Sequence, residues 1–488
     1  MVESPVTGKV LMPTVRPAAP LPLFLVVSAL LTLGCGGGEP ASQETARSDA
    51  PDAASREPPA SGTDSLVVGQ EARERIRQLA EDEAVARALE HVRADHGRTV
   101  DDQVSLAEIP APPFEEDERA EAYAAMFRAA GADTVHRDDE GNVIAVRRGA
   151  AGGRVIVVSG HLDTVFPPGT DVTVSRSADT LFAPGIGDDA RGLAVVLAVL
   201  RALEAADVET EADVWFVGTV GEEGLGDLRG VKHLFRDDGP PVDVFFSVDG
   251  TDLGQIVNRA LGSRRYRVTF RGPGGHSWGA FGLANPAHAL GRAIENLDGA
   301  AGDFVSEGPR TSYNVGRLGG GTAINAIPFE AWMEVDMRSV DQPRLMHLDS
   351  LFRARMDSAL AEENRGRGEG PELEIEVELV GDRPSGEIPA EAPVVQHAAA
   401  TALWAGAEPV LERSSTDANI AISRDVPAVT IGGGGEGQGA HSLDEWWRDT
   451  GDAHVGIQRV LLLTLAEAGL ATPEPVPEEE APVESGEG

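Results

Sequence analysis

Short apolar runs alternate with amphipathic stretches along most of the chain. An apolar segment at 192–205 is long enough for a buried helix, and apolar residues at helical spacing predict further helices over about 71–94 and after Pro113. The glycine-asparagine pair at 141–142 predicts a turn before a short strand at 143–146. Buried strands are predicted at 154–158, 214–220 and 242–248. Strands that alternate with helices indicate an α/β fold with a mixed, largely parallel sheet flanked by helices.

The pattern changes after about residue 260. Residues 266–270 alternate between apolar and polar, as a half-exposed strand does. Five further elements complete a β-α-β-β-α-β order: a helix at 286–297, strands at 313–318 and 331–337, a helix at 342–360 and a strand at 373–380. That order predicts a small α+β (ferredoxin-like) domain inserted into the first. After about residue 385 the α/β pattern resumes, with a helix near 394–405 and a strand near 428–431.

Residues 1–35 have the pattern of a signal peptide. Basic residues precede an apolar run at 21–33, which is too short to span a bilayer as a helix. Gly34 and Cys35 close the run and resemble the cleavage box of bacterial lipoproteins, although Thr32 stands where leucine is usual. We therefore expect export to the periplasm or the cell surface, with a lipid anchor at Cys35. Simple cleavage and an uncleaved anchor are the alternatives.

Two segments have compositions that cannot bury enough apolar surface to fold. Residues 36–70 are rich in Gly, Pro, Ala, Ser, Asp and Glu, which predicts a disordered tether. Residues 473–488 predict a disordered acidic tail. Cys35 is the single cysteine, which excludes an intrachain disulfide and a cysteine-rich metal site.

The charge of the chain is strongly negative. Lys and Arg together number 41 and Asp and Glu number 80, which gives a formal net charge of −39. A field of this sign repels phosphate, which argues against nucleic acid and anionic membrane surfaces as partners. The membrane is then reached only through the lipid anchor. Adaptation to salty surroundings and a solvated surface that aids solubility both fit the acidity.

Candidate ligands recur at the carboxyl ends of the predicted strands, where open α/β sheets place their sites. Histidine is the commonest metal ligand, and an aspartate two residues later can orient its ring. Two adjacent glutamates after a buried strand fit a division of roles in which one carboxylate binds metal and the other acts as a base. Each fragment is weak alone. In chain order the candidates are His161 and Asp163, Asp188 and Asp189, Glu222 and Glu223, Asp249, and His441 after a glycine-rich loop at 432–439.

Taken in order, the set resembles the co-catalytic zinc exopeptidases and deacylases. That family includes peptidase T, acetylornithine deacetylase, succinyl-diaminopimelate desuccinylase, glutamate carboxypeptidase and aminoacylase. The resemblance covers roughly residues 100–470. It implies a zinc-exopeptidase catalytic domain in two parts, at 71–259 and 385–472, interrupted by a lid and dimerisation domain at 260–384.

The resemblance implies two Zn²⁺ ions per subunit. The implied ligands are His161, Asp188, Glu223, Asp249 and His441, with Glu223 and Asp249 on different ions. Asp188 bridges the two ions, and Asp163 orients His161. Glu222 is the general base, which takes a proton as a bridging metal hydroxide attacks the amide and passes it to the leaving amine. Co²⁺ or Mn²⁺ could occupy the same ligands, because such sites are only loosely metal-selective.

The resemblance also extends to the predicted lid. The Gly-Gly-His-Ser segment at 274–277 matches the family's histidine that stabilises the developing oxyanion, here His276. Asn325 and Arg338 match positions that hold the substrate's carboxylate. Many members pair lid to lid and supply this histidine to the neighbour's site, so we expect a homodimer, although monomeric relatives exist.

The implied reaction is hydrolysis of the amide bond of short peptides, with N-acyl amino acids as the alternative substrate class. Asp249, in place of glutamate, resembles peptidase T and aminopeptidase-like members and favours peptides. An inactive binding lipoprotein is a remote alternative, which the intact Glu222 and the complete ligand set oppose. No motif supports a carbohydrate or phosphate hydrolase.

Overall fold

The computed structural model describes residues 66–471 of the chain. The predicted signal peptide at 1–35 with its Cys35, most of the predicted tether and the predicted acidic tail at 473–488 lie outside the described residues. Within residues 66–471, every helix is either too short or too polar to span a bilayer.

The structure has two sets of elements in the described range. The helices are α1 Gln70–Glu81, α2 Glu83–Ala94, α3 His96–Ala107, α4 Asp117–Ala130, α5 Ala190–Ala206, α6 Arg229–Leu234, α7 Pro286–Val305, α8 Gln342–Gly366, α9 Pro393–Trp404, α10 Ala418–Ser423 and α11 His454–Ala468. The strands are β1 Thr134–Arg137, β2 Val143–Arg147, β3 Val155–His161, β4 Ser175–Ser177, β5 Thr180–Phe182, β6 Asp213–Thr219, β7 Val244–Val248, β8 Gln255–Ala260, β9 Gly262–Arg271, β10 Gly275–His276, β11 Thr311–Gly320, β12 Ala326–Ile327, β13 Glu330–Ser339, β14 Glu374–Arg383, β15 Gly386–Glu387, β16 Val410–Ser414, β17 Ala428–Ile431, β18 Glu436–Gln438 and β19 Trp446–Arg448.

The large sheet has the strand order β1-β2-β6-β3-β7-β17-β8-β15, and β16 also pairs with β8. The central strands β6, β3, β7 and β17 are parallel, whereas β1, β2 and β15 pair antiparallel at the two sides. Every residue of β3 and β7 is buried. Strands covered on both faces need apolar residues at every position, which explains their unbroken runs of valine and phenylalanine. The predicted α/β fold with a mixed sheet is confirmed.

Helix α5 packs closely against the central strands. Fifteen of its 17 residues are buried, and it contacts β3, β6 and β7. The approach is tightest at Gly192, where an added Cβ atom would lie 2.1 Å from the carbonyl oxygen of Val248. Only glycine fits at this position, so the first turn of α5 is held against the end of β7.

The N-terminal region departs from the sequence prediction in two ways. The predicted helix over 71–94 is two helices, because the Asp82 carboxylate caps α2 by accepting hydrogen bonds from the N–H groups of Ala84 and Val85. The predicted tether to residue 70 is also too long. Val68 is buried, Gly69 N–H donates to the side chain of Gln396, and α1 begins at residue 70. An apolar triplet at 66–68 ends the polar composition of the tether.

The inserted domain has the predicted β-α-β-β-α-β order in β9, α7, β11, β13, α8 and β14. Its sheet is antiparallel with the order β11-β13-β9-β14, which is the ferredoxin-like arrangement. Helices α7 and α8 pack against each other and on this sheet. Their buried side chains form a hydrophobic core separate from that of the large sheet. That core includes Tyr266, Phe270, Leu297, Met333 and Phe352. We call this domain the lid and the remainder the catalytic domain.

The chain leaves and re-enters the catalytic domain at adjacent points. Strand β8 leads into the lid and β15 follows it, and the two strands are antiparallel neighbours with Gly386 opposite Ala260. The insertion therefore interrupts the large sheet at one place.

Candidate metal centre and active site

Three neighbouring parallel strands, β6, β3 and β7, end at one edge of the large sheet. His161 is the last residue of β3, and Asp249 follows β7. Glu222 and Glu223 lie just after β6. Asp249 N–H donates to the carbonyl oxygen of Ile431 at 3.0 Å, which fixes the turn after β7 against β17. The sheet itself thus gathers four of the predicted site residues.

A small antiparallel sheet, β18-β19-β5-β4, positions the other two candidate ligands. Strand β5 leads into the loop that carries Asp188, and His441 lies in the turn between β18 and β19. Strands β5 and β19 are paired neighbours, with Leu181 opposite Trp447. This pairing holds the Asp188 loop beside the His441 turn.

Glu445, in the same turn as His441, ties the two loops together. Its carboxylate accepts hydrogen bonds from the N–H groups of Gly185, Gly187 and Asp188 at 2.7, 2.8 and 2.9 Å. Burial and the nearby Asp188 carboxylate raise the pKa of Glu445 to about 8. This buried carboxylate therefore fixes the backbone that presents Asp188.

The Asp188 carboxylate lies between two histidines. Its Oδ1 atom is 2.9 Å from His161 Nε2, and its Oδ2 atom is 3.3 Å from His441 Nε2. His441 Nε2 is also 2.9 Å from Glu223 Oε1. Each oxygen of one carboxylate thus faces a different imidazole, which is the geometry that a bridging ligand requires.

Three overlapping groups within residues 66–471 have ligand atoms that lie within 4.8 Å of one another and could hold a metal ion. They are Asp188 with Glu223 and His441, His161 with Asp189 and Asp249, and His161 with Glu222 and Glu223. The carboxylate of Asp189 is already engaged, because it accepts the N–H groups of Gly192 and His161 at 3.0 and 2.9 Å. Asp189 therefore caps α5, while its neighbour Asp188 faces the histidines.

Asp163 is fully buried beneath this cluster. Its backbone carbonyl lies 3.0 Å from His161 Nδ1, whereas its carboxylate Oδ1 is 3.7 Å away. The same carboxylate accepts the N–H groups of Glu222 and Glu223 at 2.9 and 2.8 Å. Asp163 thus contacts the histidine ring mainly through its carbonyl group and fixes the glutamate pair through its carboxylate.

The electrostatics of the cluster are those of crowded carboxylates and imidazoles. Hydrogen bonds from Asp188 and Glu223 raise the pKa of His441 to about 11. Burial and the neighbouring Asp188 carboxylate raise the pKa of Asp249 to about 7. Burial also raises the pKa of Glu222 well above its usual range, against the pull of Arg383. Several negative groups in one buried place favour the binding of cations.

The donor set fits divalent metal ions. It consists of two imidazoles and several carboxylates, which are ligands that zinc, cobalt and manganese accept. His161, Asp188 and Asp249 would hold one ion, and Asp188, Glu223 and His441 would hold the other. Glu222 lies beside them and is placed for proton transfer rather than for ligation.

Several residues of the site carry no signal in the local sequence pattern. Arg383, at the end of β14, contacts the carboxylate of Glu222 across 161 positions of the chain. Asp417 is buried, accepts a hydrogen bond from the hydroxyl of Thr219 at 2.5 Å, and has its pKa raised to about 6 by burial. Glu445 follows His441 closely in sequence, which was the only hint of its role.

The lid brings together two of its three predicted residues. Strands β10 and β12 pair with His276 opposite Ala326, and Ser277 N–H donates to the carbonyl oxygen of Asn325. The side chains of His276 and Asn325 are exposed. Arg338 lies on β13, where its Nε atom is 2.8 Å from Asp336 Oδ2.

Comparison with known families adds to this geometry. The sequence model of Peptidase family M20/M25/M40 matches residues 157–466. The chain belongs to this family. The match spans every candidate ligand and the whole lid, and it supports a hydrolase that acts on amide bonds.

Two curated relatives resemble parts of the chain. A probable carboxypeptidase of Aspergillus terreus is 29% identical over 245 residues, which are 46% of this chain and 54% of the relative. The succinyl-diaminopimelate desuccinylase of Leptothrix cholodnii is 30% identical over 212 residues, which are 40% of this chain and 55% of the relative. The matches therefore span about half the length of these two relatives.

Among solved structures, aminopeptidase PepT from Bacillus cereus has a TM-score of 0.60 and 21% sequence identity. The superposition covers 76% of this chain and 98% of that structure. At this level of identity the likeness concerns the fold, and it includes both the catalytic domain and the lid arrangement of the family.

Proposed function

We propose that this protein is a two-zinc exopeptidase or amidohydrolase that cleaves the amide bond of short peptides. The observation that carries the proposal is the Asp188 carboxylate between His161 and His441, with Glu222 beside them. Zinc at these ligands would supply a water of lowered pKa and a Lewis acid for the amide carbonyl.

The protein's own groups would handle the proton and the negative charge. Glu222 takes the proton from the attacking water and returns it to the leaving amine, which completes the hydrolysis without a change of redox state. Asp163 holds Glu222 in place through the N–H of that residue.

His276 would stabilise the oxyanion of the tetrahedral intermediate. The N–H groups of Trp278 and Gly279 point at its Nδ1 atom from 3.2 and 3.3 Å. Because Nδ1 accepts these hydrogen bonds, the ring proton resides on Nε2, which can donate to an oxyanion. Asn325, next to it on the lid, and Arg338 would bind the substrate's carboxylate.

An N-acyl amino acid deacylase is the second candidate function. Both reactions break the same type of bond, and the curated relatives include a carboxypeptidase and a desuccinylase. The aspartate at position 249 favours peptides. A catalytically inactive binding lipoprotein is the remote alternative.

The test is metal content measured together with hydrolysis of a panel of di- and tripeptides and N-acyl amino acids. We expect two zinc ions per chain and release of amino acids from peptides. Glu222→Gln should keep both metals and lose about 10²–10⁴-fold in kcat, because only proton transfer is removed. The exposed Glu118→Gln is the matched control. Full activity of a zinc-loaded, folded Glu222→Gln protein would falsify the assigned role.

The same proposal includes a homodimer in which His276 reaches the partner's site. Large apolar side chains of the lid, Trp278, Phe281, Ile324 and Phe329, are 66–104% exposed. Exposed apolar residues in such number mark surfaces that another molecule covers. Sedimentation or light scattering should give twice the mass of one chain, and a monomer would reject the dimer.

We also propose export and lipid anchoring at Cys35, on the apolar run and the Gly-Cys step alone. Lipoprotein-type acylation with several chains is needed for stable anchoring, because one chain binds membranes only marginally. Cys35→Ser should move the protein from the membrane fraction to the soluble exported fraction. A wild-type protein that is already soluble would contradict the anchor.

A further inference from the structure

Arg383 is a buried arginine at the border of the two domains. It is the last residue of β14, the final strand of the lid, and it is 4% exposed. A guanidinium group is always charged, so burying it costs free energy unless its donors are paired. Its partners therefore indicate why the position holds an arginine.

Both terminal nitrogens of Arg383 point at Glu222. Nη2 donates to the carbonyl oxygen of Glu222, and Nη1 lies 3.3 Å from its carboxylate Oε1. Nη1 also donates to the hydroxyl of Ser415 at 3.1 Å, which ties the guanidinium to the catalytic domain. One rigid, planar fork thus contacts the backbone and the side chain of the same glutamate.

Glu222 is also held from the other side. Its N–H donates to Asp163 Oδ1 at 2.9 Å, and the next N–H, that of Glu223, donates to Asp163 Oδ2. Asp163 therefore fixes the backbone of Glu222 but does not contact its carboxylate in these hydrogen bonds. The direction of the carboxylate depends on Arg383.

Other buried arginines of the catalytic domain have different partners. Arg119 donates to the carbonyl oxygens of Ala107, Ile109 and Leu162, and Arg191 donates to those of Gly433 and Ala453. These contacts satisfy loop backbone and have a structural purpose. Arg383 differs because it pairs with a carboxylate inside the site. Its Nε has no hydrogen-bond partner within residues 66–471, so the side chain is not optimised for stability.

We propose that Arg383 is a positioning residue that orients the carboxylate of Glu222 for proton transfer and makes that orientation depend on the lid. The inference rests on the proposed function, in which Glu222 is the general base. Because β14 belongs to the lid sheet, a rotation of the lid about the border moves the guanidinium relative to Glu222. Neighbouring contacts join the same parts, since Asp382 N–H donates to Asp227 and Arg265 donates to the carbonyl oxygen of Gly224.

A buried arginine at this place could instead bind a substrate carboxylate directly. The two roles predict different kinetics. Loss of a substrate contact that is equal in the ground and transition states raises KM and leaves kcat unchanged. Loss of orientation of the base lowers kcat with little change in KM, because the base acts only in the chemical step.

The kinetic test compares Arg383→Gln and Arg383→Lys with wild type, using a peptide from the panel above. We expect Arg383→Gln to lose about 100-fold in kcat, with KM within about threefold and both metals retained. Arg383→Lys keeps the charge and the fold but not the fork, so its kcat should lie between the two. Arg413→Gln is the control, since Arg413 lies at the same border and donates to the carbonyl oxygens of Ala260 and Val340.

A structural readout separates this inference from the proposed function. Crystal structures of wild type and Arg383→Gln should show Glu222 in one rotamer in the former and in a displaced or divided position in the latter. If Glu222 is displaced but no protein hydrolyses any amide, the positioning role stands and the proposed function fails. If wild type is active and Arg383→Gln keeps its kcat, or if only KM rises, the positioning role is wrong.

Discussion

In the catalytic domain, His161, Glu222 and Glu223 are buried at the ends of strands, whereas in the lid His276 and Asn325 lie at the surface. The first set is complete within one chain and held by backbone hydrogen bonds. The second set stands among exposed aromatic side chains and needs closure or a partner to reach a substrate. The difference implies that metal binding is a property of the catalytic domain alone, and that turnover needs both domains.

The largest effect should come from Asp188→Ala. Removing a carboxylate that faces both histidines should release both metal ions and lower kcat/KM by at least about 10⁴-fold, since the metal-activated water is lost with them. Metal analysis after gel filtration, together with peptide turnover, measures this. Asp171→Ala removes the same charge from an exposed loop and should change neither. Two tightly held zinc ions in Asp188→Ala would contradict the bridging role.

His276→Ala should break the comparison in the opposite sense. We expect both metals to remain and kcat to fall by about 10²–10³-fold, the usual cost of one oxyanion donor. His288, another exposed histidine of the lid, provides the control variant His288→Ala. Loss of metal from His276→Ala would show that the lid contributes to the metal centre after all.

Mixed dimers sharpen this result by locating the histidine. His276→Ala and Glu222→Ala proteins should each be nearly inactive. In a heterodimer with delivery between subunits, one site receives Glu222 from the first chain and His276 from the second, so activity should reappear after subunit exchange. If exchange occurs and activity does not return, the histidine acts within its own chain.

A smaller effect is expected at Glu445, which supports the metal centre without binding metal. Glu445→Gln replaces one acceptor oxygen by an NH₂ group that faces backbone N–H donors. The Asp188 loop should loosen, and zinc affinity should fall by about 10–100-fold, as for other residues that support metal ligands. Competition with a chelator of known affinity measures the change. Asp444→Asn, one residue earlier and exposed, is the control, and equal affinities for the two variants would refute the role of Glu445.

The smallest effect should be confined to the lid. Tyr266 donates to Asp349 at 2.5 Å and accepts from Arg353 at 2.7 Å inside the lid core. Tyr266→Phe leaves these groups without a partner and should cost about 1–3 kcal/mol of unfolding free energy, with metal content and kcat unchanged at moderate temperature. Denaturant unfolding of this variant beside Tyr313→Phe, whose hydroxyl is exposed, provides the measurement. A loss of bound zinc would deny the independence of the two domains.

The elements with strong periodicity could be predicted from the sequence. The unbroken apolar runs of β3 and β7 follow from burial on both faces, and the alternation of β9 follows from a half-exposed sheet. The strands β5, β18 and β19 could not be predicted, because three residues are too few to show a period. These short strands bring Asp188 to His441. The break at Asp82 was missed because the apolar spacing continues on both sides of the cap.

The candidate ligands could be found because strand ends meet at one edge of a parallel sheet. Arg383 and Glu445 could not be found in the same way. Their contacts with Glu222 and Asp188 span 161 and 257 positions, and neither residue lies in a pattern that separates it from surface charge. Only packing shows that these two side chains are buried beside the site.

The pairing of Gly386 with Ala260 has a further consequence for how such proteins diversify. A chain that departs and returns at hydrogen-bonded neighbours could carry an insertion of almost any length, because the large sheet needs only these two ends to remain adjacent. The lid is in this sense an exchangeable cassette, and replacing it could alter substrate choice while the metal chemistry is inherited intact. Arg383 sets the limit of such exchange, since any new cassette must end on a residue that can grip the glutamate it replaces.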